Sequence, residues 1–114
     1  MSSKIHKKAK NLGINKIKKH IFICCDAKEN KCVRSQEGLI SWNYLKKRLA
    51  ELELTGKGGV QRTKADCFRI CAKGPIIAVY PDNIWYHSCD AEFIEKIIQK
   101  HILKNKPLKK NRIK

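Results

Sequence analysis

Short apolar runs and helix-like apolar spacings alternate along the chain. Residues 19–25 combine β-branched and aromatic side chains ahead of two cysteines, which indicates a buried strand. Residues 26–35 are polar and predict a loop. From residue 36 to residue 54, apolar side chains recur three or four positions apart, which predicts an amphipathic helix. The glycines that begin at Gly56 stop this helix, because glycine accepts the left-handed backbone of a helix end.

The second half of the chain predicts three strands and a helix. Residues 60–64 form a short strand, and residues 76–80 form a buried one. Residues 84–87 return as its hairpin partner across a turn. Asp90 can cap a final helix that runs through Ile102, because its carboxylate can accept hydrogen bonds from the first backbone N–H groups of the helix.

This order of elements favours an α/β fold, with a small mixed sheet of about four strands packed by two helices. We expect the chemistry to lie on loops at the edge of the sheet. The folded domain is predicted to span residues 19–103. Residues 1–18 lack a sustained apolar period and form a basic N-terminal arm, while residues 104–114 form a basic C-terminal tail. Both are expected to be disordered.

The positive charge is concentrated at the two ends. The chain carries 26 lysines and arginines against 10 acidic residues, for a formal net charge of +16. Half of the basic residues, and no acidic residue, lie in residues 1–19 and 104–114. The favoured interpretation is a pair of solvated ends. Contact with an anionic surface is the alternative. Nucleic acid is not expected, because no aromatic side chain in either arm could stack on a base.

Cysteine usage points to metal or redox chemistry. The chain has six cysteines, and its lysine-containing N-terminus lacks the apolar run of a secretory signal. No stretch is apolar enough to span a membrane. We therefore expect a protein of the reducing cytoplasm, where clustered cysteines more often bind metals than form structural disulfides.

Four of the cysteines form two spaced pairs. Cys24 and Cys32 are separated by seven residues, and Cys67 and Cys71 by three. Four thiolates are the ligand set of a [2Fe–2S] cluster. The charge of such a cluster would be partly offset by four basic residues beside these cysteines: Lys28, Lys31, Arg69 and Lys73.

Three functions remain open from the residues alone. The first is a carrier of single electrons on a [2Fe–2S] cluster. The second is a structural zinc module whose basic arms bind a polyanion such as nucleic acid. The third is a thiol–disulfide redox protein with a labile Cys67–Cys71 bond. The absence of a C-x2-C pair weakens both the zinc knuckle and the thioredoxin-type dithiol. No catalytic triad, carboxylate pair or phosphate-binding loop is present, so we expect a carrier and not an enzyme.

The chain resembles the thioredoxin-like [2Fe–2S] ferredoxins over residues 19–103. The resemblance is carried by residues 20–24, Cys32, residues 67–75 (Cys-Phe-Arg-Ile-Cys-Ala-Lys-Gly-Pro) and residues 79–86 (Val-Tyr-Pro-Asp-Asn-Ile-Trp-Tyr). It implies a thioredoxin-like fold, a redox partner protein and often a homodimer. Related domains are the small cluster subunits of respiratory NADH dehydrogenase and of some hydrogenases.

By position, the resemblance assigns four cluster ligands: Cys24, Cys32, Cys67 and Cys71. The first pair is closer together here than in the best-known members. The basic arms also depart from the family, whose free carriers tend to be acidic, so the partner cannot be inferred from the resemblance.

Two cysteines and two histidines are not expected to bind the cluster. Cys25 follows Cys24 on a strand, so the two side chains should point to opposite faces. Cys89 precedes the final helix and is interpreted as a small core residue. An alternative ligand or a spare thiol is the other interpretation of both cysteines. His6 and His101 are expected to be solvated.

Overall fold

The computed structural model describes residues 2–24, 35–56, 58–65 and 74–113. Its elements begin with helix α1 (Ser2–Leu12), a 3-10 turn (Ile14–Lys16), strand β1 (Lys19–Cys24) and helix α2 (Ser35–Glu51). They continue with strands β2 (Val60–Ala65), β3 (Ile77–Tyr80) and β4 (Ile84–Tyr86). Helix α3 (Ala91–Lys96) follows, extended by a π-helical turn (Ile97–Ile102), and strand β5 (Arg112–Ile113) is last.

The five described strands form one mixed sheet in the order β2-β1-β3-β4-β5. Strand β1 is parallel to β2, with Cys24 opposite Ala65. Its other neighbour, β3, is antiparallel and places Ile23 opposite Ile77. The carboxyl ends of β1 and β2 and the start of β3 therefore lie along one edge, called here the Cys24 edge. Lys19 lies at the other end of β1.

The core lies between one face of the sheet and helices α2 and α3. Ile21 and Ile23 of β1 alternate with outward-facing neighbours and pack against residues of β3, α2 and α3. The core members that are fully buried include Leu45, Leu49, Ile77, Val79, Tyr86, Ile94, Ile97 and Ile98. Burial of aliphatic side chains is the main force that holds sheet and helices together.

The two core helices are also joined by a carboxylate. Glu95 of α3 accepts hydrogen bonds from Tyr44 Oη at 2.6 Å and from Arg48 Nε at 2.7 Å, both on α2. The Arg48 bond, with help from Tyr44, lowers the pKa of Glu95 to about 2. The carboxylate is therefore ionised at neutral pH and fixes the register of α2 against α3.

Asp90 caps α3 as predicted. Its Oδ1 accepts a hydrogen bond of 2.9 Å from the backbone N–H of Phe93. The side chain satisfies one of the N–H groups that have no partner within the first helical turn.

The structure has one helix and one strand more than predicted, both at the ends of the chain. Helix α1 lies within residues 1–18, and β5 pairs with β4 through Trp85–Ile113 and Tyr86–Arg112. Helix α1 was missed because only Ile5, Ala9 and Leu12 form its apolar stripe. Strand β5 has two residues, which is too short for an alternating pattern. No helix in the described part of the chain is long and apolar enough to cross a membrane.

Candidate metal centre

Cys24 ends β1 and is joined to Ile76 by two hydrogen bonds. Its side chain is fully buried. Its backbone N–H donates to the carbonyl oxygen of Ile76 at 3.0 Å, and the N–H of Ile76 donates back to Cys24 Sγ at 3.1 Å. A backbone N–H directed at sulfur stabilises negative charge on it, as is usual for thiolates that bind iron–sulfur clusters.

The two segments that carry the other predicted ligands both begin at the Cys24 edge. One follows Cys24, and the other follows Ala65, which lies beside Cys24 in the parallel β1–β2 pair. The second segment also returns to this edge, because Gly74 and Pro75 lead into Ile76, the hydrogen-bond partner of Cys24. The topology thus brings the end of β1, the end of β2 and the start of β3 together around the Cys24 sulfur.

The structure places one of the four predicted ligands, Cys24. The other three, Cys32, Cys67 and Cys71, lie outside the described residues, as do Cys25 and the four basic residues expected to offset the cluster charge. Within the described ranges, no three His, Cys, Asp or Glu side chains come together as a metal site.

Cys89 lies in the hydrophobic core beside this site. It is fully buried, and its N–H donates to the carbonyl oxygen of Pro75 at 3.0 Å. Its thiol contacts the carbonyl oxygen of His87 at 3.6 Å. Burial, reinforced by the nearby Cys24 sulfur, raises the pKa of Cys89 far above its usual range. A thiol that stays neutral in an apolar setting fits the predicted packing role.

The opposite end of β1 holds a partly buried polar network that sequence reasoning missed. Lys19 Nζ donates to both carboxylate oxygens of Asp82 at 2.7 Å and to Asn105 Oδ1 at 2.9 Å. Asp82 Oδ2 also lies 2.6 Å from His101 Nε2. The network joins β1, the β3–β4 turn and the end of the last helix.

His101 is fully buried, so the prediction that it is solvated is wrong. Its Nδ1 lies 2.9 Å from Tyr86 Oη, which accepts the N–H of Leu108 at 3.0 Å. These contacts fit a neutral imidazole that donates from Nε2 to Asp82 and accepts from Tyr86 at Nδ1. The signal was in the spacing, since His101 follows Ile97 by four positions and Ile98 by three.

The pKa directions agree with this neutral histidine. Burial lowers the pKa of His101, although the Asp82 carboxylate acts against it. Burial alone would raise the pKa of Asp82, but the hydrogen bonds from Lys19 and His101 lower it overall. At neutral pH the ionic pair at this end is Lys19 with Asp82.

Comparisons with known proteins identify relatives of one kind. The chain is 31% identical over 101 residues to a [2Fe–2S] ferredoxin from Clostridium pasteurianum, covering 84% of this chain and 96% of the relative. It is 24% identical over 97 residues to a [2Fe–2S] ferredoxin from Aquifex aeolicus, covering 81% and 86%. No protein-family model matches the chain.

Solved structures confirm the predicted fold. Two structures of the thioredoxin-like [2Fe–2S] ferredoxin from Aquifex aeolicus match with TM-scores of 0.72 and 0.70, at 22% and 23% identity. Each match covers 84% of this chain, with 90% and 96% of the respective neighbour.

Proposed function

Because the chain belongs to the [2Fe–2S] ferredoxin family, whose members carry single electrons, we propose that four cysteines hold one [2Fe–2S] cluster at the Cys24 edge. The proposed ligands are Cys24, Cys32, Cys67 and Cys71. The observation that carries this proposal is the buried Cys24 sulfur with the Ile76 N–H directed at it from 3.1 Å.

Cys24 fits such a cluster in both position and chemistry. A buried cysteine in a purely apolar setting would be expected to stay neutral. A ligand thiolate instead needs hydrogen-bond donors that stabilise its negative charge. The Ile76 N–H provides one donor. When bound, the cluster would supply a site for reversible one-electron reduction, and a backbone N–H at a ligand sulfur stabilises the more negative reduced state.

Chain length supports the second ligand pair. Cys67 follows Ala65 by two residues, so their Cα atoms are at most about 7 Å apart. Cys71 precedes Gly74 by three residues, which limits that separation to roughly 11 Å. Ala65 and the Gly74–Ile76 return are both anchored at the Cys24 edge, so chain length allows both cysteines to reach the Cys24 sulfur.

Electron exchange would take place at this same edge. We expect a redox partner protein to dock there, with the electron passing between the partner and the cluster. The protein would then serve an enzyme as a carrier and perform no bond chemistry of its own. Thiols stay reduced most readily in the cytoplasm, which supports a cytoplasmic location.

Metal and sulfide analysis tests the proposal. Protein purified without oxygen should be red-brown, should contain about two irons and two labile sulfides per chain, and should bleach when dithionite is added. Zinc without iron would instead establish the structural zinc module. A metal-free protein with a reversible disulfide would establish the thiol redox function.

A homodimer is a second proposal, favoured by the sheet face opposite α2 and α3. On it, His20 stacks on Phe22 at 4.1 Å, and Phe22 and Tyr80 meet edge to face at 5.9 Å. Trp85 continues the row, with its ring centre 6.5 Å from that of Tyr80. A half-buried aromatic row of this kind is typical of an interface.

Sedimentation tests the dimer. The protein should sediment as a dimer, at twice the mass of one chain. Phe22→Asp should convert it to a monomer and leave the cluster spectrum unchanged. A monomer at tens of micromolar concentration would refute this proposal without affecting the cluster assignment.

A further inference from the structure

Helix α1 carries an apolar stripe that is exposed to solvent. Ile5 and Leu12 are 67% and 54% exposed. With Ala9 between them, they follow the spacing that places three side chains on one helix face. Such a stripe normally packs against a core. In this chain it faces outward, and Ile14 in the following turn is also 51% exposed.

Lysines make up half of the polar residues of α1. The four lysines of the helix are all exposed: Lys4, Lys7, Lys8 and Lys10. None of its residues is acidic. At 100° per residue, the stripe covers about a sixth of the circumference, and Lys8 lies beside it. A narrow aliphatic stripe bordered by lysines is the pattern of helices that lie in a membrane interface.

The helix is attached where β1 and β2 begin. The Gly58 N–H donates to the carbonyl oxygen of Leu12 at 3.2 Å, and the Lys18 N–H donates to that of Gly59 at 3.0 Å. The end of the last helix is held at the same place, because Lys19 donates to Asn105 at 2.9 Å.

More exposed lysines extend this surface. Together with α1, they form what is called here the basic end: Lys16, Lys18, Lys104 and Lys106. The Asp82 carboxylate at this end is already neutralised by Lys19. The combined surface is therefore strongly positive.

The basic end lies opposite the proposed cluster. Strand β1 separates Lys19 from Cys24 by five residue steps, or about 16 Å. A partner bound at the basic end would therefore lie far from the cluster, and the Cys24 edge would stay open. This geometry suits attachment better than electron exchange, which requires close approach to the cluster.

We propose that the basic end binds the surface of an anionic lipid membrane. Lysines contact the headgroups, while Ile5 and Leu12 enter the boundary between headgroups and acyl chains. A nucleic acid would leave the aliphatic stripe without a role, and α1 carries no aromatic side chain for base stacking. The membrane thus accounts for both the charge and the exposed aliphatic residues.

Vesicle sedimentation with the full cluster-bearing chain tests this proposal. Vesicles containing about one third phosphatidylserine should bind the protein roughly tenfold more tightly, or more, than pure phosphatidylcholine vesicles. The difference should shrink as salt rises from about 0.05 to 0.5 M. Equal binding to both vesicles, or none to either, would overturn the proposal.

One double variant separates a membrane from other polyanions. Replacing Ile5 and Leu12 with serine should weaken vesicle binding roughly tenfold and leave heparin binding unchanged, because the charge is unaltered. A vesicle affinity equal to that of the wild type would show that the stripe has no role, and heparin or DNA binding without vesicle binding would identify a polyanion instead.

Charge-matched lysine variants test the location. Lys7→Gln with Lys8→Gln should weaken vesicle binding roughly tenfold, whereas Lys47→Gln with Lys96→Gln, on α2 and α3, should change it less than about twofold. Equal losses in the two pairs would contradict a localised basic end.

The orientation has its own measurement. Vesicle-bound protein should be reduced by a soluble donor at a rate within about twofold of the free protein, since the Cys24 edge faces away from the lipid. Strong protection of the cluster on binding would show that the Cys24 edge, and not the basic end, contacts the membrane.

Discussion

The two ends of strand β1 both bury a polar side chain, but they satisfy it in different ways. At one end, Lys19 is paired with Asp82, which in turn contacts the buried His101. At the other end, Cys24 is fully buried and receives a backbone N–H from Ile76. The first end is completed by the side chains of the protein, whereas the second is arranged around a sulfur suited to bind an added group.

This difference predicts different effects of substitution at the two ends. A buried ion pair contributes little net stability, but removal of one member leaves an uncompensated charge and is costly. Loss of a sulfur ligand should act mainly on the group that the sulfur binds, and less on the stability of the protein. Substitutions at one end should therefore change stability, and those at the other should change the cluster.

The largest expected effect is at the Cys24 edge. Cys24→Ser should abolish or severely destabilise the cluster, as should Cys67→Ser and Cys71→Ser, because a serine oxygen is a poorer iron ligand than a thiolate. Cys89→Ser is the control and should leave the spectrum intact. If Cys25→Ser abolishes the absorption while Cys24→Ser retains it, the ligand assignment at this strand is wrong.

The next effect is at the Lys19 end. Asp82→Asn should lower the free energy of unfolding by about 2–3 kcal/mol, because it leaves Lys19 without its carboxylate in a largely buried site. The control is Glu51→Gln, whose exposed ion pair with Arg48 should be worth less than about 0.5 kcal/mol. Urea unfolding followed by tryptophan fluorescence measures both, and equal losses would contradict the buried network.

A smaller effect is expected from pH at the same end. The folded-state pKa of His101 lies below its usual value of 6.5, so the unfolded chain binds a proton first as pH falls. The contribution of neutral His101 to the free energy of unfolding is complete above about pH 6.5 and is lost as pH falls toward the folded pKa. Asp82 also loses its contribution to stability as pH falls, and this second loss begins near pH 3.8.

Urea midpoints at about pH 7.5 and 5.5 measure this loss. His101→Gln should flatten the change between the two values, while His6→Gln, on the surface of α1, should not. An unchanged slope in His101→Gln would show that another group titrates.

The smallest effect concerns the cap of α3, which follows Cys89 near the Cys24 edge. Asp90→Ala should cost about 1 kcal/mol, because the Phe93 N–H loses its hydrogen-bond acceptor. Glu92→Gln, an exposed change in the first turn of the same helix, should cost a few tenths of a kcal/mol. Thermal unfolding compares the two, and equal values would argue against a specific cap.

Much of the fold was predictable because its local signals agree. Alternating burial in β1, the helical spacing of Leu45 and Leu49, and the Asp90 cap each depend on neighbouring residues alone. The ends of the chain were harder to predict. Helix α1 has a narrow apolar stripe among lysines, and β5 becomes a strand through its pairing with β4.

The sequence by itself determined the elements between residues 19 and 103, the cysteine spacing and the resemblance to a family, because these depend on residue type and on separation along the chain. The tertiary structure alone decided that the Ile76 N–H meets the Cys24 sulfur and that His101 meets Asp82. Each of these contacts joins residues 19 or more positions apart. No local pattern encodes them, since they arise when strand pairing and helix packing bring distant parts of the chain together.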